Sequence, residues 1–178
     1  SSDETARKEI EDMVRESKKL LEEIREELDR VVKRLRRELE ENEKDIKRLV
    51  KRLRDLLREN NLPDEVERRI EKIVRENEKS VKDVAKEVED IVRELRRLIE
   101  EAERRSEKTV RELREKLRRE GVDRDVLREI RELAKRDKDT VKKVMEEIRD
   151  RLRKLDERIK EVHERNRRSL KDVEDKVR

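Results

Sequence analysis

The chain contains no cysteine, no phenylalanine, tyrosine or tryptophan, and only one glycine, one proline and one histidine in 178 residues. Without thiols there is no disulfide framework and no thiolate metal site. Without aromatic rings there is nothing to stack on an unpaired base, and a natural globular core is not expected. A single histidine with no cysteine leaves too few nitrogen and sulfur ligands for a zinc centre. No stretch approaches the roughly 18 consecutive apolar residues of a membrane span, so no membrane partner is expected. The first residues, Ser1 to Thr5, lack the basic and apolar regions of a signal peptide. The expected location is that of a soluble protein, cytoplasmic on recombinant expression and with no natural compartment.

What is present is charge. Charged residues make up 61% of the chain and apolar residues 30%, with 56 Lys and Arg against 52 Asp and Glu for a formal net charge of +4. Such a composition often means disorder, so the placement of the apolar residues decides. Leu, Ile, Val, Glu, Lys and Arg dominate, as they do in long helices and coiled coils. The two strong breakers, Pro63 and Gly121, divide the chain into helical segments of about 3–60, 64–119 and 123–178. Asn60-Asn61-Leu62-Pro63-Asp64 reads as a left-handed stop followed by a proline in a first helical turn. Gly121-Val122-Asp123 reads as a C′ glycine and an N-cap aspartate, with Val122 stapling onto Leu127. Ser1 or Asp3 can cap the first helix. Both connections are short, so neighbouring helices should run antiparallel, each roughly 85 Å long at 1.5 Å per residue.

The apolar spacing repeats every 18 residues. In the first segment Ile10, Met13, Val14, Ser17, Leu21 and Ile24 are followed by Leu28, Val31, Val32, Leu35, Leu39 and Asn42. The same slots return from Ile46 to Asn60, and three times in the second segment. In the third, Val126, Val144 and Val162 form one series and Val141, Ile159 and Val177 another. Eighteen residues in five turns is the period of a straight helix, whereas a strict heptad would impose a supercoil. Six slots cover an arc of about 100°, wide enough to face two partner helices. The expected fold is all-α, an antiparallel up-down-up bundle of three long, nearly straight helices forming a single domain over 1–178.

Polar residues interrupt the stripes at matching heights. If the turns centre near residues 61–62 and 121, residues on the first two helices meet when their numbers sum to about 122, and on the last two when they sum to about 242. Asn42, Asn77, Ser80, His163 and Asn166 then share one level to within a turn. Ser17, Ser106, Thr109, Asp137 and Thr140 share another. His163 with its amide neighbours lacks a nucleophile, an oxyanion hole and a second metal ligand, and Asp137 alone is too few carboxylates for Ca²⁺ or Mg²⁺. No catalytic, cofactor-binding or metal-binding residues are therefore expected, and no cofactor. The two polar layers are expected to be structural and to fix helix register, since an unpaired buried polar group costs about 1–3 kcal/mol.

Basic runs such as Lys33 to Arg37 and Arg165 to Arg168 have acidic neighbours and read as solvated faces, so no nucleic-acid partner is expected. Glu and Lys or Arg recur three and four apart, as on exposed helix faces. Arg151 falls in a slot held elsewhere in its series by Leu133 and Ser169, and is expected at the stripe edge with its stem packed.

The 18-residue slots, equal helices, Gly121-Val122-Asp123 turn and Asn/Ser/His layers resemble parametrically designed helical bundles with buried hydrogen-bond networks. The resemblance covers the whole chain. Asp137 departs from it, because a buried acid is harder to satisfy than an amide. It implies a rigid, very stable scaffold, monomeric, requiring no partner and not an enzyme. The alternative is a protomer of a helical homo-oligomer or a partner in a designed assembly, toward which Leu20, Leu56, Leu98, Leu127 and Met145 could widen an apolar face.

Overall fold

A computed structural model of the chain describes residues 2–119 and 123–178, with side chains from residue 4 onward. Three helices account for almost all of them: α1 (Ser2–Glu59), α2 (Asp64–Arg119) and α3 (Arg124–Val177). The fold is an all-α three-helix bundle. Each helix end falls within one residue of the segments read from the breakers, as close as helix ends can be assigned.

The turn after α1 forms in a different way from the expected one. No non-glycine residue among those described has a positive φ, so neither Asn60 nor Asn61 adopts the left-handed stop. Instead the Asn60 amide Nδ2 donates to the Leu56 carbonyl at 2.8 Å, and the Asn60 backbone N–H donates to the same oxygen at 3.1 Å. The side chain thereby adds a second bond to a carbonyl of the last turn. Pro63 stands just before α2 rather than within its first turn. Its carbonyl accepts from the N–H groups of Val66 and Glu67 at 3.0 and 3.1 Å, which is the work of an N-cap residue. Leu62 folds back onto the core of this end. At the start of α3, Asp123 caps as expected: its carbonyl accepts from Leu127 N–H at 3.0 Å and its Oδ1 lies 3.4 Å from Asp125 N. Gly121, the Val122 staple and the Ser1 or Asp3 cap lie outside the described residues and side chains.

The described residues group into two compact units. One takes those up to Arg30 and those within Arg93–Arg151; the other takes Val31–Val92 and Leu152–Arg178. Within the first unit, Ile10, Leu113 and Ile130 are almost wholly buried beside Ala6, Leu127 and Ala134. A second cluster joins Leu21, Ala102 and Val141, one residue from each helix. Those three numbers sum pairwise to 123 for α1 with α2 and 243 for α2 with α3, one more than the rule read from the loops. Within the second unit, Leu49, Leu53, Val74 and Leu170 lie in one core with Ile46, Val50, Ile70 and Val173. Burying each such side chain contributes about 1.5–3 kcal/mol before chain entropy is counted.

Two of the five residues placed outside the slots are core residues. Leu127 and Met145 are each only 4% exposed, while their neighbours Val126 and Val144 are half-buried. The stripe on α3 is therefore centred one residue further along than the Val126–Val144 series. Leu20, Leu56 and Leu98 are half-buried at stripe edges.

Ion pairs flank the core. Between α1 and α3, the pairs Glu9–Arg131, Glu16–Lys138, Glu27–Arg149, Asp45–Arg167 and Arg52–Glu174 all join residues 122 apart. In the second unit α2 is linked to α1 by Arg36–Glu89 and to α3 by Glu87–Arg158. In the first unit the corresponding links are Asp29–Arg96 and Glu94–Arg151. Arg151 is half-buried, with Nη2 donating to Glu94 at 2.6 Å, which fits a packed stem with a solvated head. The exposed pairs among them are each worth only about 0–1 kcal/mol, so those mark register more than they hold the fold together.

Candidate functional site

The polar side chains that interrupt the stripes are the part of the molecule that could carry chemistry. In the first unit the layer is built around Asp137. Ser106 on α2 is 6% exposed, and its hydroxyl donates to Asp137 Oδ2 at 2.9 Å. Ser17 on α1 is 1% exposed and faces the same carboxylate, but its Oγ reaches no partner at hydrogen-bonding geometry. Burial pushes the Asp137 carboxyl above the ordinary aspartate range, and the two hydroxyls only partly offset this. Thr109 is half-buried. Thr140 does not belong to this layer. It is exposed and donates to the carbonyl of Arg136, one turn back on its own helix, at 2.8 Å. That internal bond satisfies a threonine hydroxyl without a partner helix.

A testable consequence follows from Asp137. A carboxyl whose pKa is raised on folding binds its proton more tightly in the native state than in the unfolded chain. Its stabilising contribution is present at low pH and is lost as pH rises from the ordinary aspartate range through the raised value. The charged form is therefore the less stable one in the folded protein, because burial opposes it. Asp137→Asn keeps an acceptor for Ser106 and gains a donor for Ser17. It is expected to raise stability at pH 7 by about 1 kcal/mol, and by less at pH 3, in guanidinium unfolding. An unchanged or lowered midpoint at pH 7 would sink this account.

In the second unit the expected layer divides. Asn77 is 5% exposed, and its Nδ2 donates to the Ile73 carbonyl at 2.8 Å and to Ser169 Oγ on α3 at 3.1 Å. Asn42, His163 and Asn166 instead surround a small interior recess with aliphatic neighbours from all three helices. Ser80 lines a separate cleft between α2 and α3, beside Asp83, Arg158 and Arg165. The height rule was accurate to one residue, but it fixes level along the axis and not direction around it. Ser80, three residues from Asn77, is turned by about 60° toward the flank.

Sequence reasoning passed over the partners of His163. Its Nε2 lies 3.1 Å from Asp45 Oδ2, and Arg167 Nη1 donates to the same oxygen. Burial holds the imidazole below its ordinary pKa, and the Arg167 charge acts in the same direction against the opposing pull of Asp45. Burial raises Asp45, but the hydrogen bond and charge of Arg167 outweigh it and hold the carboxyl low. The lowered pKa favours the neutral ring, whose Nε2–H donates to the Asp45 carboxylate. The signal in sequence was the spacing of Asn42 to Asp45 and of His163 to Arg167, one helical turn each.

Two further carboxyls were not singled out. Glu174 is 6% exposed and is held by Arg52 of α1 and by Arg178, just past the end of α3. Glu38 and Asp156 meet between α1 and α3. Burial raises Glu38, and the hydrogen bond and charge of Asp156 raise it further. Asp156 is itself raised by burial, but hydrogen bonds from Glu38 and Lys160 bring it below the ordinary range.

Among the described residues no three His, Asp or Glu side chains converge as a metal-binding group, and no helix is long and apolar enough to cross a membrane. His163 is hydrogen-bonded to the Asp45 carboxylate, which orients the ring. Three of these contacts join one helix to another: Ser106 to Asp137, Asn77 to Ser169 and His163 to Asp45. No protein-family model matches the chain, and no curated protein and no solved structure matches it either.

Proposed function

We propose that the protein is a designed structural scaffold, a rigid three-helix building block with no enzymatic activity and no required partner. The observation that supports this reading best is the fate of the 18-residue repeat. Its slots supply most of the core, and Val66, 36% exposed, is the one large hydrophobic residue exposed among those described. A helix that also served a larger assembly would need a wider stripe. Natural proteins seldom combine so regular a repeat with a complete absence of aromatic residues.

One feature favours the alternative of a protomer or partner in a helical assembly. A groove of about 440 Å³ runs between α1 and α2 of the first unit, floored by Val14, Leu21 and Val110 and rimmed by charged side chains. Molecular mass by light scattering across a range of concentrations separates the two readings. A monomer mass, 22.0 kDa, at every concentration is the expected result. A dimer or trimer mass that persists on dilution would replace the scaffold reading with the assembly one.

A further inference from the structure

The recess in the second unit lies where all three helices meet. Asn42, His163 and Asn166 supply its polar wall, and Val84, Ile159 and Val162 are among its aliphatic neighbours. It leaves about 10 Å³ for the centre of a water-sized sphere. That is roughly the room one water molecule requires, and no more.

The polar wall is incompletely paired. Asn166 is 4% exposed, and its Nδ2 is buried without a protein hydrogen-bond partner. His163 Nδ1 is likewise buried and without a protein partner. Its other nitrogen, Nε2, faces Asp45 at 3.1 Å. In a neutral ring one nitrogen donates and the other accepts. With the proton on Nε2, directed at a carboxylate, Nδ1 presents a lone pair. The two unpaired atoms are thus one donor and one acceptor. Left so, each costs about 1–3 kcal/mol.

We infer that this recess is a binding site for one ordered water molecule, which links α3 to α1 through Asn166, His163 and Asn42. The water accepts from Asn166 Nδ2–H and donates to His163 Nδ1, and the Asn42 amide offers its third partner. Buried waters typically make about three such bonds. The chemistry selects water over other small ligands. An anion would face the lone pair of Nδ1, a metal cation would face the Asn166 donor, and any larger molecule exceeds the space. The Asp45 carboxylate, which can only accept, sets the imidazole tautomer, and the bound water meets the lone pair this leaves on Nδ1. The result is a continuous polar path from the Arg167–Asp45 pair at the edge of the bundle, through the ring, to the amides of the interior.

At 22.0 kDa the protein is within reach of solution NMR, which can test each part. Nitrogen shifts of the ring at pH 7 should report the Nε2–H tautomer. The Asn166 side-chain amide and the His163 ring protons should show cross-peaks to water that change sign between NOE and ROE spectra, as exchange peaks do not. In Asn166→Val, folded by circular dichroism, the cross-peaks from the His163 ring should vanish. An Nδ1–H tautomer overturns the proposal. So does the absence of sign-changing water cross-peaks at both residues, and so does their persistence at His163 in the Asn166→Val variant.

Discussion

Heated in dilute buffer near pH 7, the protein is expected to keep its helical circular dichroism to about 90 °C, in the range called hyperstable. Three contributions act together. The helices are 58, 56 and 54 residues long, and each buries apolar side chains from end to end, from Ile10 to Leu53 on α1 and from Ile130 to Leu170 on α3. Their exposed positions carry Glu, Lys and Arg, which are strong helix formers. The described connection, residues 60–63, is short, and its backbone ends are capped by Asn60 and Pro63, so little conformational entropy is lost outside the helices. Opposing them are a few buried polar atoms without protein partners, at Ser17, Asp156, His163 and Asn166. Each costs a few kcal/mol at most, against burial repeated along the whole of every helix. A cooperative loss of ellipticity near 50 °C would contradict the packing described here.

Truncating a core side chain should have the largest effect of any single change. Leu53 is 0% exposed and lies among Leu49, Val50, Val74 and Leu170. Leu53→Ala removes its transfer free energy and leaves a cavity that long, regular helices are poorly able to collapse around. A loss of about 2–5 kcal/mol is expected, the usual range for such substitutions. Val66→Ala, at a residue 36% exposed, should change stability by no more than about 0.5 kcal/mol. Guanidinium unfolding with an unchanged dependence on denaturant would read both. Comparable losses for the two would mean that Leu53 is not where the fold places it.

Most of the architecture was legible because it rests on periodicity. Pro63 and Gly121 mark breaks, and a period of 18 allows one conformation and one buried face. The heights of residues across helices followed from the loops to within a residue, as Leu21, Ala102 and Val141 demonstrate. Direction around each helix axis was harder to read. A shift of one residue is 100°, which is why Leu127 and Met145 fell inside the core of α3 and Ser80 fell outside the recess. The partners of buried polar groups were harder still. Ser169 occupied a recognised slot, yet its bond to Asn77 depends on which rotamer each side chain takes. Asp45, Arg167 and Glu174 are charged residues in a chain that is 61% charged, so nothing local set them apart. The turn at Asn60 shows the same limit, since an asparagine can end a helix through its backbone or through its side chain, and composition does not choose.

The five α1–α3 ion pairs that join residues 122 apart bear on how the chain finds its fold. Links between α1 and α2 span 53 residues at Arg36–Glu89, 67 at Asp29–Arg96 and 78 at Arg25–Glu103. Links between α2 and α3 span 31 at Ser106–Asp137, 57 at Glu94–Arg151 and 92 at Asn77–Ser169. Both antiparallel interfaces can therefore zip outward from their connections, each new contact enlarging a loop already closed. The parallel interface offers no short loop at which to begin: Glu27–Arg149, Asp45–Arg167 and Arg52–Glu174 all demand the same long closure. Because closure entropy grows only with the logarithm of loop length, that demand is met once, after which the remaining α1–α3 contacts follow at little extra entropy. Of the three interfaces this one is the least local, and contacts so distant in sequence slow folding. If they form after the transition state, the stability they add slows unfolding rather than hastening folding. The same parallel seam that holds the Asp45–His163 contact would then act as a latch, closing last and keeping the folded chain long-lived.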